Sequence, residues 1–553
     1  MVRHDYSSWS RDDLIKEITK LSKARTYGIV WEEKPEDVAT LCQSKLPVLN
    51  EVRGKEIDGS DGATNFLIEG DNYHALSVLN YTHKGKVDVI YIDPPYNTGA
   101  RDWKYNNDFV DINDSYRHSK WLSMMSKRLQ LAKNLLRPDG VLICTIDDNE
   151  FARLGLLLEQ VFAGFEVHCI TIVHNPRGIQ GKNFSYTHEY AYFVFRKGLT
   201  VIGPRKIKDD DIYWSNLRNW GGESLRTDAR NCFYPIFVKG ENIVGFGDVP
   251  PNEFHPKKQT EQKGDHYEVW PIDVSGIEHK WRYARQSVEE IQNLLRVRES
   301  RGRIEVEIGK PYGSVKTVWQ DSRYDAGIYG TNLVHALVPK ADFPFPKSVW
   351  NTYDCLAPIV SGRRDAVVLD YFAGSGTTAH ALLIFNKEDG GKRRFILCTN
   401  NENGIAEDVC YPRISAVIKG HPNYPEITRV DASVKYFKTD FVDAEPTDRN
   451  KKKLVDRSTE MLCLREDCFE VIKIGAEYRV FGNGAGKFLG IVYSDAGIEP
   501  FKAEAKRLGR DISVYVFSLD SSAREEEFED VLDLVNLKPI PEVILNVYRR
   551  IFR

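Results

Sequence analysis

The run Val87-Asp88-Val89-Ile90-Tyr91-Ile92 passes directly into Asp93-Pro94-Pro95-Tyr96. The first six residues read as a buried strand. Two successive prolines cannot continue a strand ladder, so the chain must leave the sheet there. A carboxylate, a rigid turn and an aromatic ring then stand together at the carboxyl end of a strand. In open α/β sheets that end is where ligands bind. The trio offers an acceptor for an amino group and a flat face for stacking, which suits a planar base with an exocyclic amine.

The surrounding pattern alternates strand and helix. Phe66 to Ile68 reads as a strand closed by Glu69-Gly70-Asp71-Asn72, and Tyr73 to Asn80 as a helix. After the polar loop 97–115, a helix is expected over Tyr116–Leu136, a strand over Val141–Ile146 and a helix over Glu150–Phe162. Glu166–Val173 and Tyr190–Phe195 are further strands. Alternation of this kind points to an α/β chain with a mostly parallel sheet. Upstream, the spacing predicts a helix over Asp12–Arg25 and another short helical piece through Val38, Leu41, Leu46 and Leu49.

The alternation breaks after Arg196. From there to about Leu333 the segments are short and irregular, with basic and aromatic residues interleaved, as in Trp281-Arg282-Tyr283, and a helical part expected near Gln286–Val297. It resumes at Ala366-Val367-Val368-Leu369-Asp370, a strand that enters Tyr371-Phe372-Ala373-Gly374-Ser375-Gly376-Thr377-Thr378 and a helix. Arg393–Cys398 is the next strand and Val409–Lys419 the next helix. After Ser433 the composition changes again. Strands are expected at 478–481, 488–493 and 513–517, with helical pieces near Ala503 and over 525–534.

At 553 residues the chain should form several domains. A hydrophobic fraction of 42% and a charged fraction of 28% are those of a globular protein without a membrane span. The polar start, Met1 to Arg11, lacks an apolar signal core. Nine cysteines without a CxxC pair argue against structural zinc and for reduced thiols in the cytoplasm. A net charge of −4 lends no global support to nucleic-acid binding, so any such surface must be a local one.

The glycine turn 374–376 reads as a cofactor cradle. It lacks the lysine of a triphosphate loop and is not a full GxGxxG, so neither a triphosphate nor a dinucleotide is indicated. Glycines allow close backbone approach, and the following helix start offers free amides. A ligand with a carboxylate and an ammonium group would suit, such as the methionyl end of S-adenosylmethionine. Asp370 could accept from the ammonium, and the turn amides and Thr hydroxyls could hold the carboxylate.

Together, Asp93-Pro94-Pro95-Tyr96 and Phe372-Ala373-Gly374-Ser375-Gly376-Thr377-Thr378 resemble the amino-group DNA methyltransferases. The catalytic motif precedes the cofactor motif, as in the β class, whose sheet is circularly permuted. The wider context, including Ile146-Asp147-Asp148-Asn149-Glu150 and His188-Glu189-Tyr190, is similar to modification subunits of Type III restriction-modification systems and their solitary relatives. The resemblance implies a Rossmann-like, S-adenosylmethionine-dependent fold and five segments: an N-terminal helical segment (1–64), the catalytic part (65–196), a target-recognition domain (197–341), the cofactor-binding part (342–432) and a C-terminal α/β module (433–553).

It also implies roles. Asp93 and the Pro94 carbonyl would accept from the target amine, within the turn completed by Pro95, and Tyr96 would stack on a flipped base. Asp370, Phe372, Ala373, Gly374, Ser375, Gly376, Thr377 and Thr378 would hold the cofactor, with Lys347 at its methionine end and Asp71 at its adenine. Asp71 is equally suited to capping the helix that follows it. Relatives place an acid straight after the second cofactor strand to bind the ribose hydroxyls; here Asn400 or Glu402 could serve. Asn97, His188 and Tyr190 would line the target-base pocket, with His188 structural rather than a base. Arg218, Arg282 and Arg285 would meet DNA; for Trp281-Arg282-Tyr283 a place in a local core is an even alternative. The basic run 449–453 reads as a solvated linker. Expected partners are double-stranded DNA, a second copy of the chain and, as a second reading, a helicase-nuclease restriction subunit. Neither metal nor membrane is expected. Asp rather than Ser at position 93 favours adenine over cytosine.

Overall fold

The computed structural model describes residues 9–16, 29–59, 64–180, 183–207, 209–300, 302–422, 429–519 and 522–552. It divides into two compact units, Met1–Gly203 with Lys316–Arg553, and Pro204–Val315. Of the helix expected over Asp12–Arg25, residues 11–16 are helical and the rest lies outside the described residues.

The larger unit is built on a ten-stranded sheet. In chain order the strands are β1 (Lys45–Glu51), β2 (Thr64–Glu69), β3 (Val87–Ile92), β4 (Leu136–Ile146), β5 (Phe165–Val173), β6 (His188–Arg196), β7 (Val318–Gln320), β8 (Val367–Asp370), β9 (Arg394–Thr399) and β10 (Ser433–Asp443). Their order across the sheet is β1-β10-β2-β9-β8-β3-β4-β6-β5-β7. From β10 to β4 every neighbouring pair is parallel. Strand β6 runs antiparallel between β4 and β5. The permuted α/β sheet expected from the motif order is therefore present: β8 and β9, late in the chain, sit at its centre between β2 and β3.

Helices α1 (Asn72–Thr82), α2 (Arg117–Lys133), α3 (Phe151–Val161), α4 (Val349–Val360), α5 (Thr377–Asp389) and α6 (Tyr411–Lys419) accompany the sheet. Ten of the eleven residues of α1 are buried, which an amphipathic helix on a sheet surface would not need. Its far side is covered by the helices Thr459–Glu466 and Glu542–Ile551, so the C-terminal segment completes the core of this unit. A charged residue inside the β3 run also has a structural account. Asp88 is buried, and its carboxylate accepts from Arg363 at 3.1 Å and from the Val367 amide at 2.9 Å, tying the start of β8 to β3.

Three expectations are corrected. The helical piece through Val38–Leu49 is helical only at Asp37–Leu41; Leu46, Val48 and Leu49 belong to β1, antiparallel to β10. Pro47 is tolerated there because β1 is the edge of the sheet, where a missing amide donor costs no ladder bond. Ser433–Asp443 is β10 of the main sheet rather than the start of a separate body. The helical part near Gln286–Val297 is a 3-10 turn, Glu289–Leu294, followed by the strand Leu295–Ser300. In that strand Leu295 and Val297 pack on the core while Arg296 and Arg298 point to Glu307, an alternation of period two.

The unit Pro204–Val315 holds a three-stranded and a four-stranded antiparallel sheet around Leu217, Tyr234, Ile236, Val269, Trp281 and Val306. The strands of these two sheets, three to seven residues long, are too short for sequence periodicity to reveal. Trp281 is buried there and donates to the Tyr234 carbonyl at 2.7 Å, so in its motif Trp281 is a local core residue.

Candidate active site

The parallel pairing of Leu369 with Ile90 sets β8 beside β3. Both strands end in a carboxylate and a break, Asp93 with its prolines and Asp370 with its glycine turn, so two motifs distant in sequence stand side by side at the same end of the sheet.

At the first motif the contacts of Asp93 gather on one oxygen. Oδ1 accepts from Thr145 of β4 at 2.6 Å and from the Tyr96 hydroxyl at 2.8 Å, and lies 3.4 Å from the Lys347 ammonium. Among the described residues, no donor reaches Oδ2. The Pro95 carbonyl accepts from the indole of Trp121, buried in α2, at 2.7 Å, which pins the turn against the helix. Asn97 is fully buried at φ +59°, a left-handed position that asparagine tolerates. Its carbonyl accepts from Trp103 at 3.0 Å and its amide donates to Glu150 at 2.5 Å, so it shapes the turn from behind.

Strand alternation then decides which side chain of His188-Glu189-Tyr190 faces Asp93. His188 and Tyr190 share a face, with His188 Nε2 3.0 Å from the Tyr190 hydroxyl and the Tyr190 ring 4.1 Å from that of Phe151. Glu189 points the other way. Its Oε2 lies 3.1 Å from the Tyr96 hydroxyl and forms an ion pair with Lys347, and its Oε1 accepts from Asn351 of α4 at 2.6 Å. Glu189, which the sequence offered only as the middle of its motif, is thus the member that reaches the turn. Lys347 lies at this turn, hydrogen-bonded to the Tyr96 hydroxyl and 4.6 Å above its ring. Burial works against its charge, but Asp93 and Glu189 outweigh burial and hold its pKa above the ordinary lysine value. For Glu189 burial is likewise outweighed, chiefly by Lys347, and its pKa is lowered.

At the second motif Gly374 and Gly376 have φ of +49° and +79°, a region glycine enters at no steric cost. A Cβ on Gly374 would meet Phe343 Cζ at 2.9 Å. Asp370 is buried; its Oδ1 accepts from the Phe372 amide at 2.9 Å and its Oδ2 from the Thr378 hydroxyl at 2.5 Å. Burial lifts its pKa to about 7, with Asp93 adding to the rise. Behind the turn, Arg413 of α6 donates to the Ser375 hydroxyl at 2.8 Å and the Thr377 hydroxyl at 2.9 Å. The first amides of α5 have no intrahelical acceptor. The cradle thus offers donors for an anion beside a carboxylate in need of a cation, which fits the zwitterionic end of an amino-acid-derived cofactor.

The remaining predicted residues are placed as follows. Asp71 caps α1, accepting from the Tyr73 amide at 2.7 Å, and lies 3.4 Å from the buried Arg128. Asn400 is exposed after β9, and Glu402 is ion-paired with Lys104. In the smaller unit Arg218 is buried, with its guanidinium 4.3 Å from the Trp220 ring, and Arg285 donates to the Phe246 and Gly247 carbonyls. Arg282 is exposed and donates to Ser215 at 2.9 Å. Among the described residues no cluster of His, Cys, Asp and Glu could hold a metal, and no helix is long and apolar enough to cross a membrane.

A family model described as DNA methylase matches residues 87–407, which spans both motifs. The EcoPI Mod subunit of a Type III restriction-modification enzyme from Escherichia phage P1 is 30% identical over 386 residues, 61% of this chain and 58% of that one. The Type II methyltransferase M.KpnI of Klebsiella pneumoniae is 29% identical over 398 residues, 67% of this chain and 89% of that one. The StyLTI Mod subunit of Salmonella typhimurium is 26% identical over 438 residues, 71% of this chain and 61% of that one. The chain therefore spans about three fifths of the two Mod subunits.

Proposed function

The chain belongs to the DNA methylase family, and from that premise we propose that it methylates the N6 amino group of adenine at a specific site in double-stranded DNA, with S-adenosylmethionine as the donor. The observation that carries the reading is the Leu369–Ile90 pairing, which sets the Asp93 turn and the glycine turn beside each other at the ends of neighbouring strands. Bound in the cradle, S-adenosylmethionine would supply an electrophilic methyl group. The chain's own residues supply position. Oδ2 of Asp93 and the Pro94 carbonyl accept from the two amine hydrogens and aim the nitrogen lone pair away from the turn. Tyr96, held by Lys347 and Glu189, stacks on the base, which must leave the duplex to reach this depth. The nitrogen–carbon bond would form as the donor's sulfur–carbon bond breaks, its electron pair staying on sulfur; the Asp93 carboxylate would offset the positive charge gained by nitrogen, whose proton would then pass to solvent. Most of the rate enhancement would come from alignment and from a preorganised anionic collar.

The unit Pro204–Val315 would be the target-recognition domain, meeting DNA through exposed groups such as Arg282, and the protein would work as a homodimer. The test is incubation of purified protein with double-stranded DNA and methyl-labelled cofactor, followed by nucleoside mass spectrometry. Label in N6-methyladenine is expected; label in N4-methylcytosine would overturn the choice of base, and no label would overturn the activity.

A second reading rests on the Mod relatives, which are named as subunits of restriction-modification enzymes. In it the chain also guides a helicase-nuclease partner, which co-expression and co-purification with the neighbouring genes would reveal.

A further inference from the structure

Arg413 is fully buried in α6, directly behind the glycine turn. Other buried arginines of this unit have carboxylate partners: Arg393 pairs with Asp389 at 2.7 Å, and Arg128 with Glu36 at 2.8 Å and Asp71 at 3.4 Å. Among the described residues no carboxylate pairs with Arg413. Its Nη1 is spent on the Ser375 and Thr377 hydroxyls and, at 3.4 Å, on the Ser375 carbonyl. Its Nη2 lies 3.4 Å from His380 Nδ1, and its Nε is buried without an acceptor. His380 cannot neutralise it; burial first, and then Arg413 itself, hold that imidazole uncharged. A buried cation with no counter-charge is strongly disfavoured, so an anion is the missing member of this arrangement.

The hydroxyls show where the anion would sit. Each oxygen already accepts from Arg413, so each keeps its proton for donation. The two oxygens are 3.3 Å apart, and one proton can bridge them. The other is left to donate outward, beside the unpartnered amides of the first turn of α5. We propose that Arg413 is a positioning residue whose charge acts through Ser375 and Thr377 on the carboxylate of the ligand held in the glycine turn. This rests on the cofactor reading above and extends it to a residue that does not touch the cofactor.

The test is calorimetric binding to the full chain of S-adenosylmethionine and of its decarboxylated analogue, in the absence of DNA. Wild type should favour the carboxylate form by roughly tenfold or more, the range of a charge-assisted hydrogen bond. Arg413→Met should erase most of that preference while leaving the affinity for the decarboxylated ligand nearly unchanged. Arg413→Lys should keep part of it. Ser375→Ala, which retains the buried cation, should reduce the preference as well and serves if Arg413→Met does not fold. Equal losses for both ligands in the variants would overturn the proposal and leave Arg413 a structural prop. Failure of wild type to bind either ligand would overturn the cofactor reading, and this inference with it.

Discussion

The Lys347 ammonium lies 3.4 Å from Oδ1 of Asp93, in the turn that would receive the target amine. The contact balances the site. Asp93, Glu189 and Lys347 bring two carboxylates and one cation around the Tyr96 hydroxyl, so one negative charge remains. That residual charge is what an amine turning cationic would meet.

Asp93→Ala removes the acceptor and the residual charge together. Methyl transfer should fall by at least about 10²-fold, the scale seen when a single preorganised electrostatic group is removed. Cofactor affinity should stay within about threefold, because none of the cradle's hydrogen bonds involves Asp93. Single-turnover assays with label, beside calorimetric titration, measure the two effects. Wild-type turnover in this variant would remove Asp93 from the chemistry.

Tyr96→Ala and Tyr96→Phe separate ring from hydroxyl. Loss of the ring should weaken capture of the flipped base by about 1–3 kcal/mol, as for aromatic stacking platforms. The phenylalanine variant keeps the stack but frees the Glu189 and Lys347 contacts, so binding should persist while turnover drops. Fluorescence of 2-aminopurine at the target position reports flipping. A phenylalanine variant indistinguishable from alanine would show that the hydroxyl, not stacking, governs capture.

Lys347→Met leaves Glu189, 3% exposed, as a buried acid without its cation. Breaking a buried pair on one side typically costs about 3–5 kcal/mol. Combining Lys347→Met with Glu189→Gln should recover a large part of that stability, since the more deeply buried acid is then neutral and only the partly exposed Asp93 is left without the lysine. Denaturant unfolding of the single and double variants measures the coupling, and strict additivity would contradict a specific pair.

Gly374→Val forces a β-branched residue into φ +49° with its Cβ 2.9 Å from Phe343. A stability loss of about 1–3 kcal/mol is expected from the backbone alone. Because Phe343 or the turn must move, cofactor binding should be lost as well. A Gly374→Val protein that folds and binds cofactor normally would mean the turn is not the cradle.

Asp370 supplies a pH signature. Its folded pKa is raised to about 7 from an ordinary 3.8, chiefly by burial. The folded chain therefore keeps a proton that the unfolded chain releases as pH rises through the ordinary value. The associated stability is complete below that value and is lost as pH climbs through about 7. A bound ammonium favours the carboxylate, so cofactor affinity should run the other way, rising with pH up to about 7 and then levelling. At pH 6 close to one proton should be released on binding. Calorimetry in buffers of different ionisation enthalpy counts it; a binding enthalpy independent of buffer would show that Asp370 is already ionised or takes no part.

What the sequence determined by itself was local. Two prolines must end β3, and glycines at positive φ must turn the chain after β8, whatever surrounds them. Asp93, Tyr96, Asp370 and Gly374 could be picked out for that reason, as could strands β2 to β6, β8 and β9 and helices α1 to α3, α5 and α6, whose periods are set by neighbours in the chain. The tertiary structure decided which strands lie side by side and which way each side chain faces. It made Glu189, not His188, the partner of Tyr96, because alternate residues of β6 face opposite sides. It carried Lys347 to the Asp93–Tyr96 turn, and turned Leu46 to Leu49 into an edge strand once β10 was there to pair with. It also buried Arg413 with no carboxylate partner among the described residues. Burial, strand neighbours and charge balance depend on segments hundreds of residues apart, and no local pattern of residue types encodes them.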